Sequence, residues 1–305
     1  MRNLIFIIIC GLCLLPTSAS SQDDRTTAAA VAELPLPNVP DTLRTPAERA
    51  NYIIAHFWDA MDFRDTYRSH TRDFMEQNFS NFISVFPYAS EQAQRTAVAT
   101  LLSKAEADSA AYVLLKDIAE KYLYDPSSPM VSEDYYIFFL EHFVNATILG
   151  EHGTIRPRRQ LDAARKNRPG MTAADFAYIT REDSATTLHR TATKGDLLLI
   201  FYDPDCEHCK ETMQELQSDT ALSDAVASGR MTVLAIYSGD DHSLWKHTAA
   251  TLPASWTVGY ESGLLQENGS YVLRTMPTLY LLNADKKVLQ KDVQSAQLLQ
   301  WLHDS

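Results

Sequence analysis

The stretch Phe201–Leu216, FYDPDCEHCKETMQEL, decides how this chain is read. The apolar run DLLLIFYD enters it and a helical pattern leaves it. At the junction stand Cys206 and Cys209, separated by two residues. A helix opening here puts Cys206 at its N-terminus, where unpaired backbone N–H groups and the helix dipole stabilise a thiolate. Cys209 falls one turn further in, where a shielded thiol can attack a mixed disulfide. The competing readings are a structural bridge and half of a metal site. A bridge across two residues closes almost no loop and so stabilises little. A zinc site needs two further ligands; the sequence's other C-x-x-C, Cys10–Cys13, lies in the apolar N-terminal segment, and there is no H-x-x-x-H. Covalent haem attachment needs His directly after the second cysteine, where Lys210 stands.

Outward from the junction the pattern is α/β. DFAYITREDSATTLH alternates like a hairpin, and MTVLAIYSG is a second buried strand. CEHCKETMQELQSDTALSDAVASG predicts one helix ending near Gly229, and DHSLWKHTAATLP a second with Asp241 as its cap. PTLYLLNADKKVLQKDV predicts a hairpin turning at Asn283–Lys286, and SAQLLQWLHDS a closing helix. Pro277, in RTMPTLYLL, stands at the first residue of its strand, a position where proline is tolerated.

The N-terminal half is helical. TPAERANYIIAHFWDAMDF opens with Thr45 as cap, Pro46 in the first turn and Glu48 completing a capping box. SEQAQRTAVATLLSKA starts at a Ser90 cap, DSAAYVLLKDIAEKYLY stops before Pro126, and SEDYYIFFLEHFVNATILG runs from Ser132 to Gly150. RPRRQLDAARKNRPG is a shorter basic helix ended by Pro169 and Gly170. Its Arg156, Arg158, Arg159, Arg165, Lys166 and Arg168 form a basic hinge, read as a solvated face or a contact for an acidic partner. Tyr52, Phe57, Trp58, Trp245, Trp256 and Tyr260 read as packing residues. No internal repeat is found. The expected division is a signal peptide over 1–21, a linker over 22–44, a helical domain over 45–168 and an α/β domain over 169–305.

The composition bounds the function. The 305 residues are 45% hydrophobic and 22% charged, enough for a sizeable core, and the net charge is −12. That balance disfavours non-specific nucleic-acid binding, which needs a basic surface. MRNLIFIIICGLCLLPTSASSQDD has a basic start, a short apolar stretch and small residues at Thr17 and Ala19, the form of a secretory signal peptide. Its apolar run falls short of the roughly 20 residues that span a bilayer, so no stable membrane insertion is expected. Removal of that peptide takes Cys10 and Cys13 with it. The other two of the four cysteines are Cys206 and Cys209, carried to a compartment where disulfides form.

Residues 169–305 resemble the TlpA-like branch of the thioredoxin superfamily. The carrying residues are GMTAADF (Gly170, Ala173, Asp175, Phe176), LLLIFYDPDCEHC and MPTLYLLNADKKVL. The helical half, with ERANYIIAHFWDAMDF, is similar to a helical domain of unknown function that Bacteroidetes proteins place before such a module. The resemblance implies a central mixed sheet flanked by helices, with a cis peptide bond at Pro277 facing the cysteines. It implies a thiol–disulfide oxidoreductase in which Cys206 is the nucleophile, Cys209 resolves, and Met276, Pro277 and Asp205 lie on the substrate side. The sequence also departs from the family. Asp205 stands where Trp is usual, Ile200 where thioredoxins bury an Asp, and Thr212 where many TlpA-like reductases carry Glu. No internal base for Cys209 is identified. His208 occupies the slot of the His in the C-P-H-C motif of DsbA-type oxidants, where an imidazolium stabilises the thiolate. Asp203, Asp205 and Glu207 oppose it.

The expected protein is therefore an exported, periplasmic or envelope thiol–disulfide oxidoreductase. It needs no dissociable cofactor beyond the Cys206–Cys209 redox disulfide and no metal. Its expected partners are protein thiols or disulfides and a redox partner protein. The rival from another class is an envelope scaffold whose thioredoxin-like half is a docking module with vestigial cysteines. A weaker rival is a copper-handling protein using both thiolates.

Overall fold

The computed structural model describes residues 33–304. The signal-peptide segment and the start of the linker lie outside them. The remaining linker is irregular but anchored: Leu34 is buried, and its N–H donates to Asn78 Oδ1 at 2.8 Å.

Seven α-helices come first: α1 Pro46–His56, α2 Thr66–Ser69, α3 Arg72–Ser84, α4 Glu91–Ala105, α5 Ser109–Leu123, α6 Glu133–Phe143 and α7 Gly150–Ala164. The starts of α1, α2, α4, α5 and α6 follow from side-chain capping of orphan N–H groups. Thr45 accepts from Glu48 N–H while the Glu48 carboxylate accepts from Thr45 N–H. Ser90, Asp108 and Ser132 cap α4, α5 and α6 by accepting from the N–H of Ala93, Ala111 and Tyr135, without the reciprocal bond. One apolar cluster, centred on Phe79, Phe82, Leu101, Leu115, Phe139 and Phe143, unites the set.

The rest alternates strands and helices: β1 Ala177–Thr180, β2 Ala185–Thr187, β3 Asp196–Tyr202, α8 Glu207–Ser218, α9 Thr220–Ala227, β4 Met231–Ser238, α10 His242–Ala249, β5 Thr257–Glu261, α11 Leu264–Glu267, β6 Thr278–Leu282, β7 Val288–Lys291 and α12 Ser295–His303. One sheet runs β2-β1-β5-β4-β3-β6-β7. β3 pairs parallel with β4 and antiparallel with β6. The sheet has a core on each face. Leu198, Ile200 and Tyr202 of β3 enter one, and Leu197, Leu199 and Phe201 enter the other. A strand buried on both sides reads as a continuous apolar run, as LLLIF does after the partly exposed Asp196.

Several elements differ from the sequence reading. The helix expected to run unbroken to Gly229 is two helices. Asp219 is extended (φ −74°, ψ 129°), and its carboxylate caps α9 through Leu222 N–H. The helix expected to end at Gly150 stops at Phe143. Gly150, at φ +64°, instead opens α7, which carries Pro157 inside it. α2, α3, β5 and α11 were not expected from the sequence. The basic hinge meets acidic residues of its own chain: Arg156 pairs with Glu120, Arg165 with Glu141 at 3.0 Å, and Arg168 with Asp134 at 2.8 Å. No described helix is long and apolar enough to cross a membrane.

Phe201 is fully buried and packs against Phe176, Tyr271 and Tyr280. Phe201→Ala leaves a cavity there and is expected to cost about 3–5 kcal/mol, read as a lower urea midpoint with unchanged slope.

Candidate active site

β3 delivers the chain to the cysteines, and a short turn sets their geometry. Cys206 N–H donates to Asp203 C=O at 3.2 Å, and Asp205 N–H donates to Asp203 Oδ1 at 2.9 Å. The turn releases the chain into α8 with Cys206 in the N-cap position (φ −79°, ψ 121°). Its sulfur does what a Ser or Asp oxygen does at other helix starts: it accepts from Cys209 N–H, at 3.4 Å. That N–H is one of the orphan donors of the first turn, directed at the atom that carries charge in a thiolate.

The two thiols sit in unlike surroundings. Cys206 is partly exposed and Cys209 is 1% exposed. Burial pushes the Cys209 thiol up to about 12, although its sulfur accepts from Asp203 N–H at 3.4 Å, a contact that pulls the other way. The neighbouring Cys206 sulfur adds to the rise. A cavity of about 230 Å³, bordered by Tyr202, Asp203, Lys210 and Met213, reaches Cys209.

The third element comes from β6. Phe201 lies opposite Thr278 in the antiparallel register, so the chain entering β6 meets the chain leaving β3. The Met276–Pro277 bond in that entering segment is cis. The Cys206 thiol donates to Met276 C=O at 3.6 Å. Cys206, Cys209, Met276 and Pro277 are thus brought together. His208 is near them in sequence but points outward: its side chain is 72% exposed and stands 3.8 Å from Glu211. Asp205 is exposed on the turn. Glu207 pairs with Lys210 at 3.2 Å. Ile200 and Thr212, the two positions noted above as lacking an acid, are both buried.

Residues of the helical half also reach this site, which no spacing in the sequence indicates. Pro126, Ser127 and Val131 line the same cavity as His208, Thr212 and Pro277. The polar cluster beside it, Glu133 with Arg274 and Lys291, joins residues 141 and 158 positions apart.

Comparison with known proteins agrees with this architecture. A family described as a domain of unknown function (DUF5106) matches residues 13–167, and a thioredoxin-like domain family matches residues 183–305. A crystal structure of a thioredoxin-like protein from Bacteroides caccae is 30% identical with a TM-score of 0.81, over 88% of this chain and 98% of that one. The C-terminal domain of an uncharacterized protein from Bacteroides fragilis is 30% identical over 45% of this chain and 98% of its own, with a TM-score of 0.43. The thioredoxin domain of a thiol–disulfide oxidoreductase from Bacteroides vulgatus is 15% identical, with a TM-score of 0.40, over 45% of this chain and 96% of that one. No curated protein matches the chain.

The unlike burial of the two sulfurs has a direct readout. A thiol held near 12 is ionised in about one molecule in 10⁵ at pH 7, and Cys209 is also shielded. Iodoacetamide at neutral pH is expected to label Cys206 of the reduced protein first, with Cys209 modified only after unfolding. Mass spectrometry of the peptides reports the order, and early labelling of Cys209 would contradict this assignment of the two sulfurs.

Proposed function

The chain belongs to the DUF5106 family and joins to it a domain of the thioredoxin superfamily; from that premise we propose that it is an exported thiol–disulfide oxidoreductase acting on protein disulfides. One observation carries the proposal. Cys206 sulfur is at once the acceptor of an N-terminal helix N–H and the neighbour of Met276 C=O, with a buried second thiol one turn behind. This is the arrangement of an accessible nucleophile, a surface for the substrate backbone and a resolving thiol.

In the reducing direction, the Cys206 thiolate attacks one sulfur of a substrate disulfide. An S–S bond forms between Cys206 and that sulfur, and the substrate's other sulfur leaves as a thiolate. The Cys209 thiolate then attacks Cys206 sulfur. The Cys206–Cys209 disulfide forms and the second substrate thiolate departs. Two electrons have passed to the substrate, and each departing thiolate takes up a proton. The oxidising direction is the same sequence reversed. The chain's own atoms serve both, and the potential of a redox partner protein sets which one runs.

Cys209 must lose its proton in this cycle, and burial opposes that loss. Ile200 and Thr212 supply no carboxylate. The proton therefore leaves with help from the departing substrate thiolate or through the cavity beside Asp203 and Lys210. Resolution is the slow half of the cycle in this reading, and mixed disulfides persist longer than where a buried acid assists. No dissociable cofactor or metal takes part. Export is supported by the form of the N-terminal sequence.

Cys206→Ser is expected to abolish exchange with a protein disulfide. Cys209→Ser is expected to retain the first attack and accumulate mixed disulfides with partner proteins, visible as adducts on non-reducing gels that disappear with dithiothreitol. Full activity in Cys206→Ser would overturn the mechanism and favour a docking role for this domain.

A further inference from the structure

The helical region reaches beyond its own core. The segment joining α5 to α6, residues 124–132, approaches the chain that enters β6, and α6 begins beside it with Glu133. Glu133 Oε1 accepts from Arg274 Nη2 at 3.2 Å, and its Oε2 accepts from Lys291 Nζ at 2.7 Å. Arg274 donates as well to Asp292 Oδ2 at 2.6 Å, and its guanidinium lies 4.8 Å from the centre of the Tyr124 ring. These charges are withdrawn from water: the Glu133, Arg274 and Lys291 side chains are 18%, 14% and 8% exposed. Burial pushes the Glu133 carboxyl up, against the pull of Lys291 and Arg274. Such a cluster contributes little net stability, because desolvation offsets attraction, but removal of one member leaves the others uncompensated. Its effect is therefore geometric. It ties the start of α6 to Arg274, two residues before the carbonyl that meets Cys206.

Beside the cluster opens a cavity of about 380 Å³. Pro126, Ser127 and Val131 border it from the helical region; Thr212, Thr275 and Pro277 border it from the other. Val131 is 45% exposed, an apolar side chain left partly uncovered at a groove. Thr275 N–H makes no hydrogen bond among the described residues. An extended polypeptide supplies both a backbone acceptor for such a donor and a side chain for such a groove.

We propose that residues 126–131 form the second wall of the substrate groove, so that a polypeptide carrying the disulfide passes between Val131 and Pro277, and that Glu133, Arg274 and Lys291 are positioning residues that hold this wall at the site. The proposal rests on the redox reading above. It also names the substrate: an extended protein segment with an uncharged side chain next to the reacting cysteine. Of the ionisable residues lining the cavity, Arg274 and Asp292 are paired with each other, and His208 is exposed and stands 3.8 Å from Glu211. A charged substrate side chain entering between Val131 and Pro277 would lose its hydration.

The test compares two substrates of the full chain, insulin as a protein disulfide and a small aromatic disulfide that reaches Cys206 without filling the groove. Val131→Trp is expected to lower the ratio of the insulin rate to the small-disulfide rate about tenfold, the loss of one well-formed contact. Ser127→Arg, at an exposed position where misfolding is no concern, is expected to lower the same ratio. Glu133→Gln is expected to raise KM for insulin with a smaller change in kcat; a purely structural role would lower the melting temperature and leave KM of the folded enzyme unmoved. A ratio unchanged in both Val131→Trp and Ser127→Arg would overturn the wall while leaving the redox reading intact. A wild-type protein inactive on both disulfides would overturn the redox reading itself.

Discussion

The antiparallel pairing of β3 with β6, Phe201 opposite Thr278, is the constraint on which the rest depends. Antiparallel strands bring the end of one to the start of the other. The chain leaving β3 carries the cysteines, and the chain entering β6 carries Met276 and Pro277. They meet because the ladder holds them there, with Cys206 sulfur 3.6 Å from Met276 oxygen. A slip of one residue would exchange the side chains that β3 sends into its two cores, each packed around particular residues. Alternate residues of β3 enter two separate cores, so neither core can shift without disturbing the other. The candidate site thus inherits its rigidity from packing several residues away.

What the scaffold holds in place is an asymmetry between two chemically identical groups. Cys206 occupies a cap position and receives a first-turn N–H; Cys209, one turn on, is buried and held up to about 12. Residue type does not distinguish them, whereas position along the helix does. The same logic explains why the departures from relatives matter where they do. Ile200 is fully buried in the apolar core of β3, so the position adds packing rather than a proton acceptor. In the proposed reaction the fold would supply the sulfur geometry and leave the acid–base part to solvent and substrate.

Much of this was legible in the sequence, because the signals were local. The capping box at Thr45–Glu48, the apolar run of β3, the C-x-x-C spacing and the proline before β6 each depend on a few adjacent residues. β5 was missed for a physical reason. Its centre is Gly259, and a Cβ there would come within 2.4 Å of Tyr178 and 2.7 Å of Ile236. Close packing demands glycine, and glycine weakens the strand pattern. α3 does carry start signals, Thr71 in the cap position and Asp73 in the first turn, but they stand among other polar residues and no Glu or Gln at the third helical position completes a capping box. The break between α8 and α9 turns on one residue, Asp219, whose cap competes with continuation of a helix that periodicity alone would extend.

The contact between the two halves illustrates the limit of local signals most directly. Glu133 reads as a first-turn acid of α6, favourable to the helix dipole, and that reading is complete without any other part of the chain. Lys291 reads as a strand-end lysine and Arg274 as a loop arginine. Only when the β6–β7 hairpin packs against the start of α6 do the three become one buried cluster. Each residue is ordinary in its own element. The cost of burying them falls on the assembled chain, and hydrophobic side chains of similar volume would hold the same surfaces together at no electrostatic cost. Charges differ from such side chains in direction: Arg274 must point at Glu133, Asp292 and the Tyr124 ring together. A contact that specifies angle as well as proximity suits a place where the backbone two residues further on must keep its distance from a reactive sulfur.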